Sequence, residues 1–496
     1  MTAPAPLAPG RRGAELRWTH VEDLYVDGRW VAAESSARLP VVDPATDEEW
    51  GSVPDCSTAD LDRAVAAARM AFTQGPWPRM SAAERAEVLV RMAAEIETRA
   101  EPLATTNTRE NGSPVMESAG AAANAAGILR YFATLAPELD TDDVRPAPSG
   151  SHESLVRKDP LGVCALIAPW NFPINLVVIK LAPALLAGNT VVIKPAPSTP
   201  LSIRYVVDAA EAAGVPPGVV NLLTSGNDVA DRLVRHPDVA KVAFTGSTPV
   251  GRRIAAACGE LLRPVTLELG GKSSAVVLPD ADLDQLRSVL LRTCLRNTGQ
   301  TCYISTRILA PAERYEEVVD AVAATVAAAK VGDPFDADTV VGPVANRGQY
   351  DKVLGYLSTA RAEGARVVAG GAPLPGPGNF VQPTVLADVT PEMTVAQEEI
   401  FGPVLTVLRY ESLDEAVAIA NNTPFGLGGV VFSTNPAAAA EVAERLDTGS
   451  VGINFFASNH AAPFAGRHDS GLGVEYGPEG LAAYVTYKSI HRRPTA

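Results

Sequence analysis

From Leu161 onward, short apolar runs alternate with segments of helical period, and this repeat constrains the fold more than any other feature. Strands are expected at 163–168, 190–194, 219–223 and 239–244, and helices at 174–186, 201–213, 228–235 and 250–258. Gly188, Gly214 and Pro216-Pro217 stand just past helix ends, where a left-handed cap or a helix stop belongs. Apolar strands joined through helices cannot pair as hairpins. They form a parallel sheet covered on both faces, and such sheets bind ligands beyond the carboxyl ends of their strands. A second series follows Pro264, with strands at 264–268, 274–278 and 306–310, helices at 282–296 and 314–328, a Gly/Pro-rich surface loop over 370–378, and further units to about Asn454. At 496 residues the chain exceeds one ordinary core, so the reading is α/β with two doubly wound parallel-sheet domains.

Before this region, residues 21–53 alternate apolar runs with turns such as Asp27-Gly28 and Asp43-Pro44-Ala45-Thr46, which reads as short strands. Helical period covers 58–71, 81–108 and 115–135, with a break at Gly75-Pro76-Trp77-Pro78 and a capping box at Ser81 and Glu84. Residues 137–152 are polar and hold Pro137, Pro146, Pro148 and Gly150; they read as a linker or as an extended arm, and the residues alone favour the linker. The tail ends in an alternating run, 484–490, suited to an edge strand. A net charge of −15 argues against nucleic acid or an anionic membrane as partner. Cys56, Cys164, Cys258, Cys294 and Cys302 are odd in number and without paired spacing, which suits a reducing cytoplasm. Met1–Pro6 reads as a frayed tail and not a signal peptide, no run nears the ~20 apolar residues of a membrane span, and no metal-binding cluster is expected.

Chemistry-bearing segments fall at the expected strand ends. Cys302 follows the small polar loop Asn297-Thr298-Gly299-Gln300-Thr301; a thiol there is a candidate nucleophile or a buried small hydrophobe. Phe244-Thr245-Gly246-Ser247-Thr248-Pro249-Val250-Gly251 joins strand to helix and suits a phosphate or an ordinary turn, with Thr248 able to cap and Pro249 in the first helical turn. Lys194 ends a strand ahead of Pro195-Ala196-Pro197, as a cation for a ribose or phosphate or as a solvent boundary. Asn171, in Pro169-Trp170-Asn171-Phe172-Pro173, offers an amide to an oxyanion or caps the next helix. Glu268 precedes Leu269-Gly270-Gly271-Lys272 and is a general base or a surface partner of Lys272. Glu399 and Phe401, in Gln397–Pro403, could meet a ribose and a ring.

Taken together, in order and spacing, these six segments resemble the aldehyde dehydrogenase superfamily over 25–490. The resemblance implies a cofactor domain over 1–137 and 159–265, a catalytic domain over 266–476, and a small β oligomerisation arm over 138–158 and 477–496, assembled as a homodimer or homotetramer. It implies a Cys302 thiohemiacetal with a small-molecule aldehyde, an oxyanion held by Asn171 and the Cys302 N–H, hydride transfer to NAD or NADP, and a thioester hydrolysed by water that Glu268 activates. The implied cofactor contacts are Ala168, Pro169, Trp170, Lys194, Ala196, Pro197, Gly226, Phe244, Thr245, Gly246, Ser247, Val250, Leu269, Gly270, Glu399 and Phe401. Phe172, Tyr303, Phe456 and Phe464 are implied to line the path of a medium-sized aldehyde. Three segments depart from the pattern. Pro197 replaces the glutamate that many NAD-preferring members carry, which admits NADP; Thr224-Ser225-Gly226-Asn227-Asp228 lacks a second glycine; and Ala465-Gly466-Arg467-His468-Asp469 replaces a glycine pair and lysine near the substrate mouth. A CoA-acylating semialdehyde dehydrogenase is the nearest alternative, opposed by Glu268. A catalytically silent binding protein on the same scaffold is opposed by the intact Cys302, Glu268 and Asn171 set.

Overall fold

In the computed structural model, which describes residues 20–493, the first β-α series forms an eight-stranded sheet. Its order is Arg29–Ala32, Asp23–Val26, Val220–Leu222, Thr190–Lys194, Val163–Ile167, Val239–Thr245, Val265–Glu268 and Gly471–Leu472. The five central strands are parallel, and the edges are antiparallel. Successive residues of Val163–Ile167 face opposite ways. Cys164 and Leu166 enter one core with Val191 and Ile193, while Val163, Ala165 and Ile167 enter another with Val192. Both faces are therefore dry, which is why these strands are continuous apolar runs. From Val163–Ile167 the chain winds outward through two strands, then returns to pair Val239–Thr245 on the other side. That reversal opens a crevice at the carboxyl ends of those two strands.

A seven-stranded sheet follows, ordered Arg366–Ala369, Thr384–Ala387, Val404–Tyr410, Arg307–Pro311, Ser274–Val277, Gly428–Phe432 and Ser450–Ile453, parallel except for its first pair. The fold is thus α/β with two doubly wound sheets. The strand expected to open the second series, Val265–Glu268, instead pairs in parallel with Val239–Thr245 and belongs to the first sheet. Residues 269–273 carry the chain across, so Glu268 ends one sheet just before Ser274 begins the other.

The helical run expected over 81–108 is two helices, Ala82–Thr98 and Ala100–Asn111, because Arg99 leaves helical geometry at φ −103 and ψ 13. Ser81 and Glu84 do form the capping box. The run over 115–135 is likewise divided, into Val115–Ser118 and Ala121–Ala133. The polar stretch favoured as a linker is structured: Asp143–Pro146 pairs with Glu153–Pro160, which pairs along its length with Val485–Arg492. These three strands make a separate antiparallel sheet, so the tail strand does not extend either large sheet. Residues 1–6 lie outside the described residues. Among those described no helix is long and apolar enough to cross a membrane, and the five cysteines are free.

Candidate active site

Strand register brings several of the sequence-selected residues together. Ile167 pairs with both Lys194 and Phe244, and Thr245 pairs with Glu268, so four adjacent strands end side by side. The turn Ala168–Phe172 leaves the first of these and leads into helix Pro173–Leu186. Asn171 does not cap that helix; its Nδ2 donates to the Gln300 carbonyl at 2.9 Å, tying it to the loop before Cys302.

That loop is unusual. Asn297, Thr298 and Gly299 all have left-handed backbones, with φ of 52°, 57° and 73°. A β-branched threonine pays a steric penalty there, so the loop must be held from outside. Asn297 Nδ2 donates to the Asn171 carbonyl at 3.0 Å, while its Oδ1 accepts from Ser113. Thr298 Oγ1 accepts from the Gly342 N–H at 3.0 Å, and Gln300 Oε1 from the Ala345 N–H at 2.9 Å. Gly299 is pressed against the Gly402 carbonyl. At Gly271 an added Cβ would lie 2.4 Å from the Cys302 carbonyl, so the 269–273 crossing packs directly against the Cys302 backbone.

Cys302 is partly exposed, and Cys56, Cys164, Cys258 and Cys294 are buried. Burial raises the Cys302 pKa above the ordinary thiol range, and the charges of Glu399 and Glu268 raise it further. Glu268 is 3% exposed, and neither carboxylate oxygen makes a hydrogen bond of normal geometry. It is not paired with Lys272, which is itself buried with an unpartnered Nζ. Burial and the Glu475 charge push the Glu268 pKa well above the carboxylate range, against Lys180 and the Gly466 backbone amide. Lys180, in the middle of the apolar helix, donates to Glu475 and to Thr245 Oγ1, both at 2.6 Å. Reading from sequence missed this pair. Its signal was a single cation in an apolar helix, since a buried ammonium requires a partner.

A dinucleotide fits the crevice on two observations of the first sheet. Ser247 opens helix Thr248–Glu260 with no side-chain cap, leaving first-turn N–H groups for a phosphate. Thr248 does not cap, because its hydroxyl donates to the Asp469 carbonyl at 3.0 Å. Gly246 lies so close to Phe244 that an added Cβ would sit 2.4 Å from its ring, which shapes a turn with no room for a side chain. Lys194 is buried at the neighbouring strand end and, among the described residues, its Nζ donates only to the adjacent Pro195 carbonyl, at 3.1 Å. Ala168, Ala196, Leu269 and Gly270 are buried around the crevice, and Trp170, Pro197, Gly226 and Val250 are half-buried. Asp55 was not anticipated: its carboxylate accepts the Gly226 N–H at 2.9 Å. Across the crevice, Glu399 Oε1 accepts the Gly271 N–H at 2.9 Å, and Phe401 meets Trp170 edge-on at 5.3 Å.

Beside Tyr303, the residue after Cys302, lies a cavity of about 530 Å³, with Phe172, Tyr303, Phe455, Phe456 and Tyr476 in its wall. Tyr303 stacks on Phe456 at 4.8 Å. Phe464 is not in the wall but packs edge-on behind Tyr303 at 6.2 Å.

The family model for the aldehyde dehydrogenase family matches residues 30–490. The chain belongs to the aldehyde dehydrogenase family. Among its relatives, the geranial dehydrogenase of Castellaniella defragrans is 48% identical over 475 residues, covering 95% of this chain and 98% of that one. The 3-sulfolactaldehyde dehydrogenase of Pseudomonas putida is 39% identical, over 95% and 96% of the two chains. Of solved structures, an aldehyde dehydrogenase of Pseudomonas syringae with NAD+ and octanal matches at a TM-score of 0.91 and 38% identity, over 95% and 96% of the chains. A Mycobacterium tuberculosis aldehyde dehydrogenase with NAD+ matches at 0.92 and 40% identity, over 95% and 97%. This aldehyde dehydrogenase therefore oxidises an aldehyde to the carboxylic acid.

Proposed function

We propose that this aldehyde dehydrogenase acts on a medium-length, uncharged aldehyde, with Cys302 as nucleophile, Asn171 as oxyanion donor, Glu268 as base and NAD as cofactor. The observation that carries the reading is the meeting of Cys302, Glu268 and the Asn171-bound loop beside an aromatic-walled cavity. The resting thiol and the resting carboxyl are both biased towards their neutral forms. Attack on the aldehyde carbon then requires the thiol proton to leave to solvent as the C–S bond forms. The second N–H of the Asn171 amide and the Cys302 backbone N–H are the donors for the resulting oxyanion. NAD, when bound, accepts the hydride from the substrate carbon. Lys194, Gly246, Ser247 and the first turn of helix Thr248–Glu260 would hold its ribose and phosphates, with Glu399 and Phe401 at the nicotinamide end. Glu268, in its carboxylate form, next draws a proton from water, which attacks the thioester, breaks the C–S bond to free Cys302 and releases the acid.

NAD is favoured over NADP by the NAD+ complexes of the structural neighbours, and by Asp55, whose charge acts on Lys194 from the Gly226 side where Pro197 supplies none. The uncharged aldehyde is supported by the aromatic wall and by relatives named for or crystallised with geranial and octanal. A homo-oligomer built through the three-stranded arm is supported by the exposure of Val144, Tyr487 and Ile490 on it. The cytoplasm is supported by the absence of a disulfide among the described residues. The test is turnover of octanal and geranial with NAD or NADP, without CoA, in wild type and Glu268→Gln. Wild type should release acid and NADH in equal amounts. Glu268→Gln should release a burst of about one NADH per site and then stall; equal slowing of burst and steady state would contradict the assigned role.

A further inference from the structure

Helix Leu283–Cys294 and the turn after it present two guanidinium groups to the cavity wall, Arg292 and Arg296. Arg292 is exposed and makes no ion pair among the described residues, whereas Arg296, half-buried, is ion-paired and donates from all three of its nitrogens. Its Nε donates to Glu117 Oε1 at 2.9 Å, and a second nitrogen reaches the same oxygen. A third nitrogen donates to the Tyr303 hydroxyl at 2.5 Å, and the guanidinium lies 5.1 Å from the Phe172 ring centre. Phe172 follows Asn171 and Tyr303 follows Cys302, so a single cation spans the residues next to the oxyanion donor and the nucleophile. Glu117, from the short helix Val115–Ser118 on the opposite wall, is the only carboxylate in the cavity lining.

We propose that Glu117 is a specificity-determining residue: by occupying Arg296 it reserves the channel for uncharged aldehydes, and its removal opens the channel to aldehydes bearing a carboxylate. This rests on the assignment of the cavity to an uncharged substrate. The electrostatics follow from the wall itself. With Glu117 present, the charge of the inner guanidinium is cancelled, and an incoming carboxylate would be desolvated beside another carboxylate. Without it, Arg296 keeps two donors free in a half-buried setting, and planar bidentate recognition of a carboxylate is what a guanidinium does best. The relatives show that the scaffold serves both kinds of substrate, since one is named for geranial and another for the anionic 3-sulfolactaldehyde.

The experiment compares octanal with 8-oxooctanoate, which has the same chain length and one added carboxylate, in wild type, Glu117→Gln, Glu117→Ala and the double variant Glu117→Gln/Arg296→Gln. Wild type should favour octanal. In Glu117→Gln the ratio of kcat/KM for 8-oxooctanoate to that for octanal should rise by about tenfold or more, the size of one charge-assisted contact. The gain should reside in KM, and the double variant should abolish it. Glu117→Ala gives the same reading from a different geometry should the glutamine fold poorly. A ratio within about twofold of wild type in the folded single variants, or a gain that survives loss of Arg296, would overturn the inference. A wild type that itself favours 8-oxooctanoate would instead overturn the substrate assignment beneath it.

Discussion

Substitution of Gly299 by alanine tests whether the loop carrying Cys302 is held by close packing or tolerates adjustment. Two costs add at this position. Gly299 has φ +73°, where an L side chain costs about 1–2 kcal/mol. An added Cβ would also stand 2.0 Å from the Gly402 carbonyl oxygen, against an ordinary contact of about 3.5 Å, so one segment must move by about 1.5 Å. Gly402 cannot readily retreat: its own Cα packs on Val353, and Gln349 Nε2 holds the preceding carbonyls of Ile400 and Phe401 at 2.8 and 2.9 Å. The displacement therefore passes into 297–302 and costs about 1–3 kcal/mol more, for a total of about 2–5 kcal/mol. A shift of about 1 Å between Cys302 and its oxyanion donor should lower kcat by about 100-fold. Two other glycines separate the contributions. Gly214 has φ +83° with nothing within 4 Å, so Gly214→Ala should lose about 1 kcal/mol and keep full activity. Gly271 has no positive φ but would meet the Cys302 carbonyl at 2.4 Å, so Gly271→Ala should show the kinetic loss from close approach alone. Chemical unfolding gives the stabilities, and rapid-mixing measurement of NADH formation gives the acylation rate. If Gly299→Ala matched Gly214→Ala in both, close packing would not be what fixes the nucleophile.

Four further outcomes follow from the charges around the site. Lys180→Met should destabilise by about 3–5 kcal/mol by leaving Glu475 buried and unpaired, whereas Lys180→Met/Glu475→Leu should recover most of that loss in chemical unfolding. Because Glu475 raises the Glu268 pKa and Lys180 lowers it, Glu475→Gln should move the acid limb of the deacylation profile to lower pH; a limb that moved upward would put Glu268 in a different field. Burial depresses the Lys194 pKa to about 8, against the charges of Cys56 and Asp55, so NAD affinity measured by titration should weaken as pH rises through about 8, and Lys194→Arg should flatten that dependence. Asp55→Asn should raise the kcat/KM ratio of NADP to NAD by about tenfold, by removing the carboxylate that holds the Gly226 N–H and acts on Lys194; an unchanged ratio would shift the discrimination to another group.

The division between what the sequence disclosed and what it concealed follows the range of the forces involved. Val163–Ile167 and Thr190–Lys194 were legible because a strand buried on both faces has to be continuously apolar, a local requirement. The capping box at Ser81 was legible for the same reason, since its partners are three residues apart. The assignment of Val265–Glu268 failed because its flanking helices look alike whether it closes one sheet or opens the next. Only its register with Val239–Thr245, a non-local fact, decides the matter. The polar stretch before Glu153 reads as a linker for a similar reason: its pairing partner Glu153–Pro160 is itself paired with Val485–Arg492, more than three hundred residues away. Ionic groups were hardest of all. Lys180 with Glu475 and Arg296 with Glu117 are separated by 295 and 179 residues, and no periodicity links a buried cation to a distant carboxylate. Yet a buried charge obliges the fold to supply a partner, so Lys180 in an apolar helix already implied an unseen acid. The obligation also runs in the other direction. Glu268 is buried at the meeting of two sheets without a normal hydrogen bond, a cost that stability alone would not retain. In the proposed mechanism the carboxylate is satisfied only during turnover, as it draws a proton from water, which accounts for its being left unsatisfied at rest.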